Sequence, residues 1–221
     1  MNSLIFQYVM IAGFNFGILL LKKYAFALGT KIVHLHLQPL MQEELLNRLE
    51  TDLRSIQDLV RTQIADKPEE ALKVRPDLNS WNSLECIAHL NLFMEMYLPR
   101  IEKSIHLAKA RSWKPGTQLK YTGTAKRVLK QANPANNKPR KTAKRYDFIH
   151  QPIGTEVIKP FLINNERLLR NVQASRVVDL NKAKIGWGPS GFYKITLGNC
   201  LEWLVLHSQR HLQQAMRTIN S

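Results

Sequence analysis

The chain has 221 residues, 44% hydrophobic and 22% charged, which excludes a disordered or uniformly membrane-embedded chain and allows one domain with a sizeable core. Its two cysteines exclude a disulfide framework and fit a reducing compartment. The formal net charge is +15, but the segment from Lys109 to Arg145 contains 12 basic and no acidic residues, which leaves +3 for the rest and excludes a uniformly basic surface.

The N-terminal part of the chain is unusually apolar. Residues 4–21 read LIFQYVMIAGFNFGILLL and are followed by Lys22 and Lys23, so the run is close to the ~18 residues that a spanning helix requires. No basic residue precedes it, which argues against a secretory signal. Two interpretations stay open for residues 1–40. They form a membrane anchor with the following domain in the cytoplasm, as the two lysines favour, or they are a start-site artefact upstream of Met41.

From Met41 the hydrophobic pattern becomes that of an amphipathic helix. Apolar residues recur at steps of three and four, with glutamate and arginine on the other face. Pro68 and the polar residues before it end this first helix. The apolar positions are Leu45, Leu49, Leu53, Ile56, Leu59, Val60 and Ile64.

The second helix is predicted to begin near Asn82. The side chain of Asn82 can accept a hydrogen bond from the first turn, and Glu85, three residues on, can reach back as in a capping box. The run LECIAHLNLFMEMYL that follows is apolar nearly all round, which predicts a largely buried helix. Pro99 is predicted to kink or terminate it.

Residues 107–152 are rich in proline and asparagine and include the sequence NPANNKPRK. We expect a long crossover loop here, with at most a short helix around Thr124 to Gln131. Loops of this length are often functional or mobile.

Two more helices follow the crossover. The third is predicted from Glu156 to Ala174, with Pro160 in its first turn. The glycine-rich connector GWGPSG leads to Thr196, a good N-cap for the fourth. Four amphipathic helices around one core predict an all-α four-helix bundle over residues 41–221. The crossover is long enough for the second and third helices to lie parallel.

Three histidines are the candidates for metal ligands. His207 and His211 are four apart on the fourth helix, so they lie on one face, one turn from each other, and can bind one ion. A pair of partly exposed polar residues near a helix C-terminus is the alternative. His89 lies in the buried second helix, where an imidazole needs partners. A core histidine bonded to a backbone carbonyl is its alternative.

These residues carry a resemblance to a known family. The stretch WNSLECIAHL from Trp81 resembles the second-helix motif of the DinB/YfiT-like family, and the stretch from Thr196 through His207-Ser208-Gln209-Arg210-His211 resembles its fourth-helix His-x-x-x-His motif. Asn82 departs from the usual serine but keeps the capping chemistry. The resemblance covers about Met41 to Ser221 and implies a four-helix bundle with a long crossover between helices 2 and 3.

The resemblance also implies a site and an activity. His89, His207 and His211 are expected to hold one divalent ion, zinc or nickel, with one coordination position left open as in catalytic sites. That position suits a water of lowered pKa or a low-molecular-weight thiol. A metal-dependent hydrolase or thiol S-transferase that acts on a small-molecule substrate is therefore expected. We expect it in the cytoplasm, and a homodimer is one expected oligomeric state.

Weaker candidates surround these ligands. Glu85, one turn before His89, is considered either as an acceptor for a ligand N–H or as a capping residue. Cys86 and Cys200 are considered as a soft fourth ligand, with core packing favoured. Arg210 is considered for an anionic substrate group, with an exposed arginine the commoner case.

The alternative function is a non-catalytic basic binding protein with a structural or vestigial metal site. The basic segment 109–145 contains Trp113 and Tyr121 among its cations and is followed directly by Tyr146, a mixture that can bind nucleic acid or an acidic membrane surface. A solvated, mobile loop is the simpler interpretation. A membrane is expected as a partner only if residues 4–21 are an anchor.

Overall fold

The computed structural model describes residues 41–136, 138 and 141–219. The predicted anchor or leader, residues 1–40, lies outside the described residues. No helix in the described part of the chain is long and apolar enough to cross a bilayer. The elements, besides three short 3₁₀ turns, are α1 (Gln42–Gln63), α2 (Glu69–Leu72), α3 (Ser83–Ala110), α4 (Gly123–Ala132), α5 (Ile158–Ala174), β1 (Lys184–Trp187), β2 (Tyr193–Thr196) and α6 (Leu197–Ile219).

The four long helices α1, α3, α5 and α6 form the predicted bundle. The Asn91 side chain of α3 donates to the carbonyl oxygen just before α5, at Val157, and Glu102 of α3 pairs with Arg167, further along α5. These two helices therefore run parallel, as the long crossover allows. By contrast, Ser83 at the start of α3 bonds Ala215 near the end of α6, so α3 and α6 are antiparallel.

The predicted apolar stripe of α1 enters the core. Leu45, Leu49 and Leu53 are buried, and they pack with buried side chains of the other three long helices in one cluster. Tyr97 of α3 and Phe161 of α5 are the bulkiest fully buried side chains among the described residues. The periodicity of α1 thus predicted which of its faces is buried.

The second bundle helix is longer than predicted. Pro99 lies inside α3, which continues to Ala110, so the prediction that the crossover begins at residue 107 was wrong by one turn. The missing proline N–H removes one helical hydrogen bond. The side chains of Ile101, Ile105 and Ala108 are buried beyond it, and this apolar burial offsets the loss.

The crossover is tied to the bundle at several points. Its predicted short helix is α4, which begins after Thr122, whose hydroxyl accepts the N–H of Ala125 at 3.1 Å. Further along, the Arg210 guanidinium of α6 donates to the carbonyl oxygens of Asn136 and Lys138. Much of the crossover is therefore fixed against α6.

A β-hairpin, which we did not predict, occupies the glycine-rich connector. Strands β1 and β2 pair antiparallel, with Ile185 opposite Ile195. The turn places Gly188 and Gly191 at φ values of +70° and +66°, a region that favours glycine. The guanidinium of Arg100, on α3, donates to carbonyl oxygens of this turn. The signal for this hairpin in the sequence was a pair of short runs with alternating apolar residues, KIGW and YKIT, on either side of the turn.

Candidate metal centre

The histidines are placed by two capped, antiparallel helices. Asn82 caps α3 by accepting the N–H of Glu85 at 2.9 Å, and the Glu85 carboxylate accepts the N–H of Asn82 at 2.9 Å. Both halves of the predicted capping box are thus formed. Thr196 caps α6, because its hydroxyl accepts the N–H of Asn199 at 3.2 Å. The caps set where each helix starts and hence which residues face the neighbouring helix.

The structure brings the three predicted histidines together. One ring nitrogen from each of His89, His207 and His211 lies within 4.8 Å of the others. The Nε2 atoms of His89 and His207 are 3.3 Å apart. The ring centroid of His211 lies 4.6 Å from that of His89 and 4.7 Å from that of His207. Two adjacent helices thus present three imidazoles to one small volume.

Hydrogen bonds orient two of the rings. The Nδ1 atom of His89 lies 2.9 Å from the carbonyl oxygen of Tyr146, which can only accept, so Nδ1 carries the proton. The Nδ1 atom of His211 lies 3.2 Å from Oε1 of Gln214, again an acceptor. Each ring therefore has an unprotonated Nε2 available for an ion.

The third ring has no such outer partner. The Nδ1 atom of His207 is buried and has no hydrogen-bond partner among the described residues. The ring's only polar contact with the described residues is therefore the one between its Nε2 atom and Nε2 of His89. A divalent cation suits this donor set, because neutral imidazole nitrogen is a good ligand for such ions.

Burial keeps all three histidines neutral. Loss of hydration lowers the pKa of His89 to about 4 and that of His211 to about 3. The pKa of His207 is also lowered well below its usual range, first by burial and then by the neighbouring histidines. At neutral pH the rings are therefore uncharged imidazoles, the state in which histidine binds metal.

Aromatic side chains enclose the cluster. Trp203 stacks on His207 with centroids 4.6 Å apart and an interplanar angle of 16°. Phe93 packs edge-on against the same ring at 4.9 Å. Trp81 lies 4.7 Å from His89 and 5.6 Å from His211. This packing restricts the ring rotamers, so the three imidazoles are held in place.

The Glu85 side chain has other partners than the histidines. Its carboxylate accepts two hydrogen bonds from the guanidinium of Arg75 as well as the N–H of Asn82. Its observed contacts are those of the capping alternative. The acceptor for the His89 N–H is instead the Tyr146 carbonyl.

The remaining candidates lie in the core or against the crossover. Cys86 and Cys200 are both free and fully buried, and neither belongs to the histidine group. The Arg210 guanidinium binds backbone carbonyls of the crossover.

The aromatic residues within the basic segment and directly after it pack against the bundle. Trp113, Tyr121 and Tyr146 are all partly buried. The hydroxyl of Tyr121 donates to Glu202, and the ring of Tyr146 lies 5.0 Å from that of Phe93. The side chains that would stack on bases are thus engaged within the protein.

Tyr146 and Asp147 are two of the site neighbours that sequence reasoning missed. A backbone carbonyl has no signal in the sequence, and Tyr146 lies 57 residues from the histidine it binds. Asp147 accepts the indole N–H of Trp81 at 2.8 Å. It is the first acidic residue after the basic run, which is too weak a signal to identify it.

Comparison with known proteins agrees with this fold. The family model described as the DinB superfamily matches residues 48–215, about three quarters of the chain. The chain belongs to the DinB superfamily. The match includes all three histidines and the whole crossover of this DinB protein. No curated protein and no solved structure gives a significant match.

Proposed function

We propose that this DinB protein binds one divalent metal ion through His89, His207 and His211, and that the ion serves hydrolysis of a small molecule or a thiol transfer. The observation that carries the proposal is the convergence of three imidazole nitrogens within 4.8 Å. All three rings are uncharged at physiological pH, so an ion would not be repelled by positive charge on its ligands.

The number of protein ligands favours a catalytic over a structural site. No cysteine or carboxylate of the described residues joins the three histidines. Structural zinc sites are usually closed by four protein ligands, whereas catalytic sites keep a position for substrate or water. A bound ion would act there as a Lewis acid and lower the pKa of a coordinated water or thiol. Imidazole ligands fit zinc and nickel.

The residues of the chain supply orientation and exclusion of water. Tyr146 and Gln214 hold the protons of His89 and His211 on the nitrogens that face away from the ion. The rings of Trp81, Phe93 and Trp203 cover the imidazoles. In such apolar surroundings the electrostatic effect of an ion on its ligands is stronger than in water.

Metal analysis of the purified protein tests the first part of the proposal. We expect about one equivalent of zinc or nickel per chain, retained through dialysis. His207→Ala should remove it, because two imidazoles rarely hold an ion against dialysis. His106→Ala is the matched control, since His106 is exposed on the same helix as His89. Full metal content in both His89→Ala and His207→Ala would show that the assignment is wrong.

Cobalt substitution tests the second part. If one coordination position is open, a small thiol should change the visible d–d spectrum of the cobalt protein in a saturable titration. His211→Ala should abolish both the spectrum and any turnover. An unchanged spectrum, together with tight and salt-sensitive nucleic-acid binding by the metal-free protein, would favour the non-catalytic alternative.

A further inference from the structure

The crossover contacts the metal centre at two consecutive residues. The carbonyl oxygen of Tyr146 accepts the Nδ1–H of His89 at 2.9 Å. The Oδ1 atom of Asp147 accepts the indole N–H of Trp81 at 2.8 Å and the backbone N–H of Ile149 at 3.1 Å. Two hydrogen bonds thus connect this part of the crossover to the site. One reaches the side chain of His89 on α3, and the other reaches Trp81, which directly precedes that helix's N-cap residue.

Trp81 transmits the second of these contacts to two ligands. Its indole lies 4.7 Å from the ring of His89 and stacks on the ring of His211 at 5.6 Å with an interplanar angle of 26°. Trp81 is itself buried, so a change in its orientation must displace one of the two imidazoles. The hydrogen bond from its N–H specifies that orientation.

We propose that Asp147 is a positioning residue for the metal centre. Through Trp81 it orients the rings of His89 and His211, and by bridging Trp81 and Ile149 it holds the Tyr146 carbonyl against His89. A carbonyl is presented by its backbone, so the neighbouring side-chain contacts decide where it lies. This inference rests on the proposed metal site, in which partners that orient a ligand contribute to metal affinity.

Two substitutions at Asp147 separate its hydrogen bonds from its charge. Asp147→Ala removes the acceptor, and we expect the affinity for Co²⁺ to fall about 10- to 100-fold. Asp147→Asn keeps an acceptor oxygen, so it should restore most of that affinity. Asp77→Ala is the control, because within the described part of the chain the Asp77 carboxylate accepts hydrogen bonds only from Asn79 and Ser80. Equal affinities in wild type and Asp147→Ala, or no recovery in Asp147→Asn, would overturn the proposal.

A double-mutant cycle tests whether Asp147 acts through Trp81. Trp81→Phe removes the indole N–H but keeps an aromatic ring. If the effect is transmitted through that N–H, Asp147→Ala should weaken Co²⁺ binding much less in the Trp81→Phe background than in the wild type. The same loss in both backgrounds would contradict a route through Trp81. Thermal denaturation of the metal-free variants shows whether each remains folded.

The tautomer of His89 provides a readout that needs no metal. ¹⁵N NMR of the metal-free protein should show His89 protonated at Nδ1, and Asp147→Ala should shift it towards a mixture of tautomers. If wild type binds no ion but this shift occurs, the positioning role stands and the proposed function fails. If wild type and Asp147→Ala bind an ion equally and show the same tautomer, the positioning role fails and the proposed function stands.

Discussion

Substitution of Arg75 tests the assignment of Glu85 to the helix cap. The Glu85 side chain is 0% exposed and its Arg75 partner is 19% exposed. Arg75 gives the carboxylate two hydrogen bonds and donates a third to the carbonyl oxygen of Ser80 at 2.8 Å. Arg75→Met keeps much of the side-chain volume but leaves the Glu85 carboxylate with the N–H of Asn82 as its only partner among the described residues.

The cost follows from the burial of the carboxylate. Removing one partner of a buried ion pair leaves an uncompensated charge and destabilises proteins by about 3–5 kcal/mol. Arg170→Met provides the comparison, because Arg170 pairs with Glu166 at the surface, where the two side chains are 60% and 43% exposed. Exposed pairs contribute at most about 1 kcal/mol. The difference between the two variants should therefore exceed about 2 kcal/mol.

Urea denaturation of the metal-free protein, followed by circular dichroism, measures both values. A loss for Arg75→Met no greater than that for Arg170→Met would refute the argument from burial. Metal content provides a second measurement. Neither Arg75 nor Glu85 makes a hydrogen bond to a histidine among the described residues, so folded Glu85→Gln should retain its metal. Loss of the ion from that variant would show that Glu85 contributes to metal binding.

Three further predictions concern the thiols, acid stability and the hairpin. Burial raises the pKa of both cysteine thiols well above the usual range, so neither should react with a thiol reagent at pH 8 until the protein is unfolded, as absorbance will show. The pKa of His89 is lowered to about 4 and that of His211 to about 3, so below about pH 6.5 the unfolded metal-free chain binds more protons than the folded one. The free energy of unfolding should therefore fall between pH 6 and 4, by about 1.4 kcal/mol per pH unit for each histidine. Denaturation at several pH values measures it. Gly186→Ala should lower the melting temperature, because the added Cβ would lie 2.9 Å from the backbone of Gly191, whereas Gly123→Ala, with nothing within 4 Å, should not.

Local patterns in the sequence determined the bundle helices and the ligand candidates. A 3.6-residue period depends only on nearby residues, so the buried face of α1 could be predicted directly. The caps at Asn82 and Thr196 are equally local. The four-residue spacing of His207 and His211 places both on one face of α6 in any fold that contains this helix.

The tertiary structure decided what surrounds those candidate ligands. His89 meets His211 only because α3 and α6 pack antiparallel, and Tyr146 reaches His89 only because the crossover returns to the bundle. Such contacts join distant residues and depend on shape and burial, which no periodicity records. The continuation of α3 through Pro99 has the same cause, since burial of Ile101 outweighs the local preference of proline, which predicted a kink or the end of the helix.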